Sequence, residues 1–106
     1  MEESMPKYLW TAKHTFKSEN DLNSHLELDN KNFRKIAPEL RKAGMISAKR
    51  GILTEKERRF AHMGFLLFKN KKAYDICMAI IDKANWDRKI EKENRYETLI
   101  IDTEID

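Results

Sequence analysis

The chain has 106 residues and few of the kinds that build disulfides, metal centres or phosphate-binding loops. Its one cysteine, Cys77, cannot form a disulfide within the chain, and its apolar helical surroundings predict a small core residue. The three glycines lie far apart, which excludes a glycine-rich loop around nucleotide phosphates. His14, His25 and His62 are scattered and form no i, i+4 pair, so each is expected to be a surface or half-buried residue, and no metal site is predicted.

The sequence also lacks long apolar runs and acidic pairs of a catalytic kind. No apolar segment approaches the roughly 18 residues that a membrane-spanning helix needs. The N-terminal segment MEESMPKYLW lacks the basic-then-apolar order of a secretory signal. Together with the single cysteine, these absences predict a cytoplasmic protein that is not associated with a membrane. No catalytic residue, cofactor or enzymatic activity is expected from the pattern.

The net charge is only +3, but positive charge is concentrated in the segment 29–59. That segment holds ten lysine and arginine residues against four acidic ones, whereas residues 1–28 and 60–106 each carry a small negative charge. Positive charge on an element that approaches DNA releases counterions from the phosphates and so supplies much of the affinity. A basic helix is also common on an ordinary solvated surface, so the charge favours DNA binding only together with the pattern of the same segment.

The most informative segment has the pattern of two short helices, over 18–26 and 29–43, joined by a tight turn. Ser18 is a good N-cap for the first helix, and Asp29 offers an N-cap for the second. Gly44 supplies the left-handed conformation that ends a helix. Apolar residues recur at three- and four-residue spacing on one face of each helix: Leu22, Leu26, Phe33, Ile36, Ala37, Leu40 and Ala43.

Over residues 18–46 this pattern resembles the winged helix-turn-helix family. The resemblance implies a mainly α fold with a small β-hairpin (α+β), in which helix 29–43 is the DNA recognition helix and the hairpin is a basic wing. The sequence departs from the family at Glu27, where the turn often has glycine, and at Pro38, which lies inside the presumed recognition helix. The alternative is an ordinary helical hairpin that ends at a glycine.

The segments on either side of this motif are expected to complete the domain. A helix is expected over 5–16, and a strand is expected to begin at Ile46. Residues 54–68 fit either a charged wing tip followed by a returning strand, which we favour, or a helix. The expected N-terminal helix would direct Tyr8, Leu9, Ala12 and Phe16 into the core.

A long C-terminal helix, from Lys71 to about Arg95, is the clearest helical pattern in the chain. It would complete a winged domain of residues 1–96, followed by an acidic tail of residues 97–106. The tail fits an added edge strand, a docking segment or a frayed end. A homodimer is expected to form through the helix that starts at Lys71. The alternative is a monomer in which the N-terminal helix covers that surface.

The resemblance implies a transcriptional regulator that binds double-stranded DNA, with the recognition helix in the major groove and the wing on the backbone. The alternative is a winged-helix module that docks on another protein without binding nucleic acid. An RNA-binding winged domain would need exposed aromatic residues for base stacking, which the pattern lacks. The residues expected to contact DNA are Asn30, Lys31, Asn32, Arg34 and Lys35 of the recognition helix and Lys49, Arg50, Arg58 and Arg59 of the wing.

Overall fold

A computed structural model describes residues 5–54, 60–84, 86 and 89–105, which form four strands and two helices. The strands form one antiparallel sheet in the order β2-β3-β1-β4. Both helices pack on one face of this sheet. In chain order, the elements are β1 (Tyr8–Phe16), α1 (Glu19–Ala43), β2 (Met45–Ile52), β3 (Phe60–Phe68), α2 (Lys71–Lys83) and β4 (Lys92–Ile100).

The central strand β1 replaces the N-terminal helix expected from the sequence. Tyr8, Ala12 and Phe16 do share a face, because a spacing of four residues satisfies both the helical period and the two-residue period of a strand. Trp10 and His14 lie on that same face, which is possible only in a strand. The aromatic and β-branched residues of YLWTAKHTF also favour a strand.

The first helix, α1, runs without interruption for 25 residues, so the expected helix-turn-helix is absent. The resemblance to the winged helix-turn-helix family is therefore wrong. Ser18 is the N-cap, as predicted, and its hydroxyl accepts a hydrogen bond from the Asp21 N–H at 3.1 Å. The segment ELDN, where the turn was expected, contains no glycine or proline that would break the helix. Asp29 lies inside this continuous helix rather than at the start of a second one, and its carboxylate pairs with Arg50 at 3.1 Å.

Pro38 lies inside α1, and the helix continues beyond it to Ala43. A proline at an interior position costs about 3 kcal/mol through the lost backbone hydrogen bond and the steric clash of its ring. Pro38 is exposed to solvent, whereas Leu40 is fully buried and packs the last turn of the helix against the core. The helix ends at Gly44, as the sequence predicted, and β2 begins at Met45, one residue before the expected start at Ile46.

The C-terminal part of the chain forms a helix and a strand rather than one long helix. The second helix, α2, begins at Lys71 as expected, and the side-chain oxygen of Asn70 accepts a hydrogen bond from the Ala73 N–H at 2.8 Å. It ends at Lys83. The edge strand β4 then pairs with β1 along its whole length, which confirms the edge-strand alternative. Residues 97–100 of the expected tail therefore belong to the sheet.

The hairpin of β2 and β3 confirms the strand interpretation of FAHMGFLLF over the helical one. Two residues expected in a wing, Arg58 and Arg59, lie outside the described residues. The expected fold class is wrong: the fold is α+β with a four-stranded sheet, not a mainly α fold with a small hairpin. Neither of the helices in the described part of the chain is long and apolar enough to cross a bilayer.

The core lies between the two helices and one end of the sheet. Cys77 is fully buried there and its Sγ donates a hydrogen bond to the Leu40 carbonyl oxygen at 3.4 Å, which confirms the prediction of a small core residue. Burial also raises the pKa of this thiol, so a reactive thiolate is disfavoured. The buried members of the core are Leu40, Met45, Leu66, Phe68, Ala73, Cys77 and Ile81.

The opposite side of the sheet is not covered by either described helix. Because side chains alternate along a strand, the residues between those that face the helices point to this side. Phe65 on β3 is 37% exposed, and Leu99 on β4 is 52% exposed. We call this side the open sheet face. Its large apolar residues on β1, β3 and β4 are Leu9, Met63, Phe65, Leu67 and Leu99.

We expect Gly44→Ala to destabilise the fold by about 2–4 kcal/mol, from a strained backbone and an overpacked contact. Gly44 has a φ of 120°, and a Cβ atom built on it would lie 2.5 Å from the Cβ of Ala73. Chemical denaturation measures the loss.

The matched control is Gly51→Ala, because a Cβ atom at Gly51 would meet no atom within 4 Å. That variant should change the unfolding free energy by less than about 0.5 kcal/mol. Equal effects at the two glycines would contradict the close approach of α1 and α2 at Gly44.

Candidate functional site

A cleft with a volume of about 1040 Å³ lies between the sheet and the helices. Its floor consists of small residues on three adjacent strands. Ala12 on β1 pairs with Gly64 on β3, and Ala48 on β2 lies one step further along the same sheet face, opposite Leu66. Further along the same sheet face, Leu66 and Phe68 belong to the filled core. The cleft therefore exists because the residues in the middle of the sheet are alanine and glycine, which leave space above the strands. Its size suits a small organic molecule.

Aromatic side chains form much of the cleft wall. Trp10 stacks on Tyr96 with ring centroids 5.7 Å apart and an interplanar angle of 16°. Trp86 follows α2, and its indole N–H donates a hydrogen bond to the Ile81 carbonyl oxygen at 2.6 Å. Phe33 of α1 contributes a fourth aromatic ring. Flat apolar surfaces of this kind favour planar aromatic ligands.

Three histidines from three different elements meet at one end of the cleft, and we call them the histidine cluster. His14 comes from β1, His25 from α1 and His62 from β3. Their ring centroids are separated by 5.3, 5.1 and 5.0 Å, which is close to an equilateral triangle. His25 and His62 are buried, with 6% and 3% exposure, and His14 is half-buried. The cluster thus contains every histidine in the chain.

The tautomer of His14 is determined by its neighbour on β4. Its Nδ1 lies within hydrogen-bonding distance of the side-chain oxygen of Asn94. Because an amide oxygen can only accept, Nδ1 carries the proton and Nε2 keeps its lone pair. Burial lowers the pKa of His14 below its ordinary value, against the opposing effect of the bond to Asn94. The ring is therefore neutral at neutral pH, with Nε2 available as an acceptor or ligand.

His62 is a buried imidazole with neither ring nitrogen hydrogen-bonded by any described residue. A buried polar group without a partner costs about 1–3 kcal/mol. Burial, reinforced by His14, His25 and Arg50, lowers the pKa of His62 to about 3. One nitrogen of this neutral ring always presents a lone pair. Unsatisfied groups of this kind are concentrated at binding and catalytic sites.

Charged groups lie beside the histidine cluster. The carboxylate of Asp29 pairs with the guanidinium of Arg50 at 3.1 Å across the cleft, between α1 and β2. Both side chains are only about a quarter exposed, at 25% and 28%. Lys92, at the start of β4, adds a second cation. Asp82 and Glu91 also line the cleft, so its three cations, Lys49, Arg50 and Lys92, are matched by three carboxylates.

The residues predicted to contact DNA are distributed over two elements in the structure. Lys31, Arg34 and Lys35 are exposed on α1, and Asn32 is half-buried there. They do not form the start of a separate helix. The remaining described residues of the set lie on or near the cleft: Asn30 on α1, and Lys49 and Arg50 on β2.

Sequence reasoning missed the histidine cluster because it treated each histidine separately. His14 and His62 are direct partners across the β1–β3 pair, and Asn94 is the partner of His14 across the β1–β4 pair. The available signal was the alternation of YLWTAKHTF, which places His14 on the face that contains Trp10. The segment was interpreted as a helix, in which alternate residues do not share a face, so the alternation was not used.

No known protein family matches this sequence, and no curated protein matches it significantly. Several solved structures, however, are similar to this chain. A dimeric ferredoxin-like protein from an uncultured marine organism has a TM-score of 0.84 at 11% identity, over 94% of this chain and 99% of that one. A second dimeric ferredoxin-like protein, also from an uncultured marine organism, has a TM-score of 0.80 at 20% identity, over 93% of this chain and 97% of that one.

SnoaB, a cofactor-independent oxygenase from Streptomyces nogalater, is a more distant neighbour, with a TM-score of 0.52 at 7% identity over 94% of this chain and 97% of that one. Proteins that share this fold therefore include an enzyme. The expected function as a DNA-binding transcriptional regulator is wrong, and so is its winged-helix alternative, because both depended on a fold that the chain lacks. The β-α-β-β-α-β order and these likenesses show that the chain has a ferredoxin-like fold.

Proposed function

We propose that the protein is an enzyme that binds a planar aromatic molecule in the cleft and acts on an oxygen-bearing group of that molecule. The observation that carries the proposal is the position of the histidine cluster at one end of an aromatic-walled cleft. The aromatic walls provide apolar contact area for the ring system. The ring nitrogens of His14 and His62 provide hydrogen-bond acceptors for a hydroxyl group, and the guanidinium of Arg50 lies at the same end of the cleft.

Two further observations support catalysis in the cleft rather than ligand binding alone. His14 is held in one tautomer by Asn94, as expected for a histidine whose orientation matters. The fold neighbour SnoaB is an oxygenase, so a ferredoxin-like scaffold can support catalysis. The sequence alone gave no reason to expect an enzyme, and the grouping of the histidines supplies one.

We expect saturable quenching of the intrinsic fluorescence by 4-nitro-1-naphthol, because both tryptophans of the chain, Trp10 and Trp86, line the cleft. The analogue 1-nitronaphthalene, which lacks the hydroxyl group, should bind about fivefold to tenfold more weakly, since a hydrogen bond contributes about 1 kcal/mol. N-acetyltryptophanamide measures the collisional quenching to be subtracted.

Gly64→Val should weaken naphthol binding at least about tenfold, or 1.4 kcal/mol, because its side chain would occupy the cleft floor. The nearest atom to a Cβ at Gly64 is the Lys49 carbonyl oxygen at 3.9 Å, so the strand accepts the new side chain. Gly51→Val is the matched control, since Gly51 lies on the other side of the sheet. Equal binding by both variants, or quenching that does not saturate, would contradict binding in the cleft.

The protein is also proposed to form a homodimer, because two of its fold neighbours are described as dimeric. The interface expected from the sequence was the helix that starts at Lys71. In the structure, Ala73, Cys77 and Ile81 of that helix are buried within the protomer, whereas Ile76 is 42% exposed. The open sheet face instead leaves Phe65 and other apolar residues accessible. A second copy of the chain on this face would bury them.

We expect light scattering to give twice the 12.6 kDa mass of the chain, and Phe65→Asp to give the monomer mass. Ile76→Asp on α2 is the matched control, because Ile76 is 42% exposed and Phe65 is 37% exposed. It should remain dimeric. Dissociation of Ile76→Asp but not of Phe65→Asp would place the interface on α2 instead, and a monomeric wild type would contradict the dimer.

A further inference from the structure

We infer that the histidine cluster is a binding site for one divalent first-row transition metal ion, with zinc as the ion best suited to it. The inference deepens the proposed function, because the same three residues form the reactive end of the cleft. It does not depend on which aromatic molecule the cleft binds.

The spacing of the three rings is that of a metal centre. Three imidazoles bound radially to one tetrahedral ion, with metal–nitrogen bonds of about 2.0–2.1 Å, have ring centroids about 5 Å apart. The observed separations are 5.0, 5.1 and 5.3 Å. One ring nitrogen from each histidine lies within 4.8 Å of the other two. Ligation needs nitrogens about 3.3 Å apart, a change that rotation of the side chains about χ1 and χ2 can supply.

The environment of His14 is that of a metal ligand. Metal-binding histidines usually donate their second ring N–H to a carbonyl, a carboxylate or water, which fixes the tautomer and orients the ring. Asn94 accepts the Nδ1–H of His14 in this way, and Nε2 is left as the donor atom for a metal. Because the two residues are direct partners in the β1–β4 ladder, the sheet itself fixes this contact.

His62 supplies the independent observation that points to a ligand. It is 97% buried, and neither of its nitrogens is hydrogen-bonded by a described residue. A metal ion at the centre of the triangle would use one nitrogen and remove that unsatisfied acceptor. Packing against Phe16 does not explain a histidine at this position, because an apolar side chain of similar size would make the same contact without burying polar atoms.

The ligand set indicates the kind of ion. Three imidazole ligands without a thiolate or carboxylate suit zinc and its first-row neighbours rather than magnesium or calcium. The nearby carboxylate of Asp29 is already paired with Arg50. Three protein ligands leave the fourth position of a tetrahedral ion open towards the cleft. There the ion would polarise an oxygen atom of the bound molecule as a Lewis acid.

Titration of untagged protein with Co²⁺ tests the site, since a tetrahedral Co²⁺ ion gives visible absorption bands. We expect saturable binding of one ion per chain, and displacement by Zn²⁺. Every histidine of the chain is in the cluster, so any histidine-dependent binding reports on this site. A wild-type protein that gives no saturable bands and no increase in melting temperature with Zn²⁺ would overturn the inference.

Variants then assign the binding to the cluster. His62→Leu replaces a buried polar ring with an apolar side chain and should abolish binding without loss of folding, and His14→Gln provides a second test at a half-buried position. Asn94→Ala should weaken binding about 10–100-fold, as outer-sphere changes do. Cys77→Ala should bind like the wild type, because Cys77 lies in the core away from the cluster. Retained binding in both histidine variants would overturn the inference.

The two proposals can fail separately. Gly64→Val should lose the naphthol and keep the metal. Metal binding by a protein that never binds the naphthol would contradict only the proposed function. Naphthol binding by a protein that binds no metal would contradict only the metal site.

Discussion

The pairing of β1 with its two neighbours positions the residues at the centre of the cleft. This pairing places Ala12 between Gly64 and Tyr96, and His14 between His62 and Asn94. A shift of β1 by one residue in the register would turn Ala12 and His14 to the open sheet face. The space for a ligand and the polar end of that space are therefore produced by one set of backbone hydrogen bonds. Residues that are distant in sequence become neighbours through the central strand.

Different segments of the long helix α1 pack in the core and line the cleft. Its C-terminal part carries the fully buried Leu40 and ends at Gly44, where the close approach to Ala73 holds it against α2. Its N-terminal part extends beyond that core and brings His25 and Asp29 over the cleft. A helix of 25 residues is about 38 Å long, which is enough to cover both regions. Two short helices joined by a turn would direct these segments differently.

The sequence predicted local features well and the fold poorly, for identifiable physical reasons. Ser18, Gly44 and the start of α2 follow from capping chemistry, which depends only on neighbouring residues. The segment 8–16 was misread because its apolar residues are spaced by four, which fits either period. Asp29 has the chemistry of an N-cap, but its ion pair with Arg50 depends on the sheet. The histidine cluster was missed for the same reason, since only strand register brings His14 and His62 together.

Two features of the cleft are unfavourable for folding, and both occur at the same place. Gly64 lies inside a strand, where glycine costs about 0.5–1 kcal/mol relative to alanine. His62 buries polar atoms that an apolar side chain would not have, at a cost of about 1–3 kcal/mol. Natural sequences depart from local stability rules mainly at functional sites. Since one departure provides the space and the other provides reactive nitrogen atoms, binding in the cleft explains both, whereas stability explains neither.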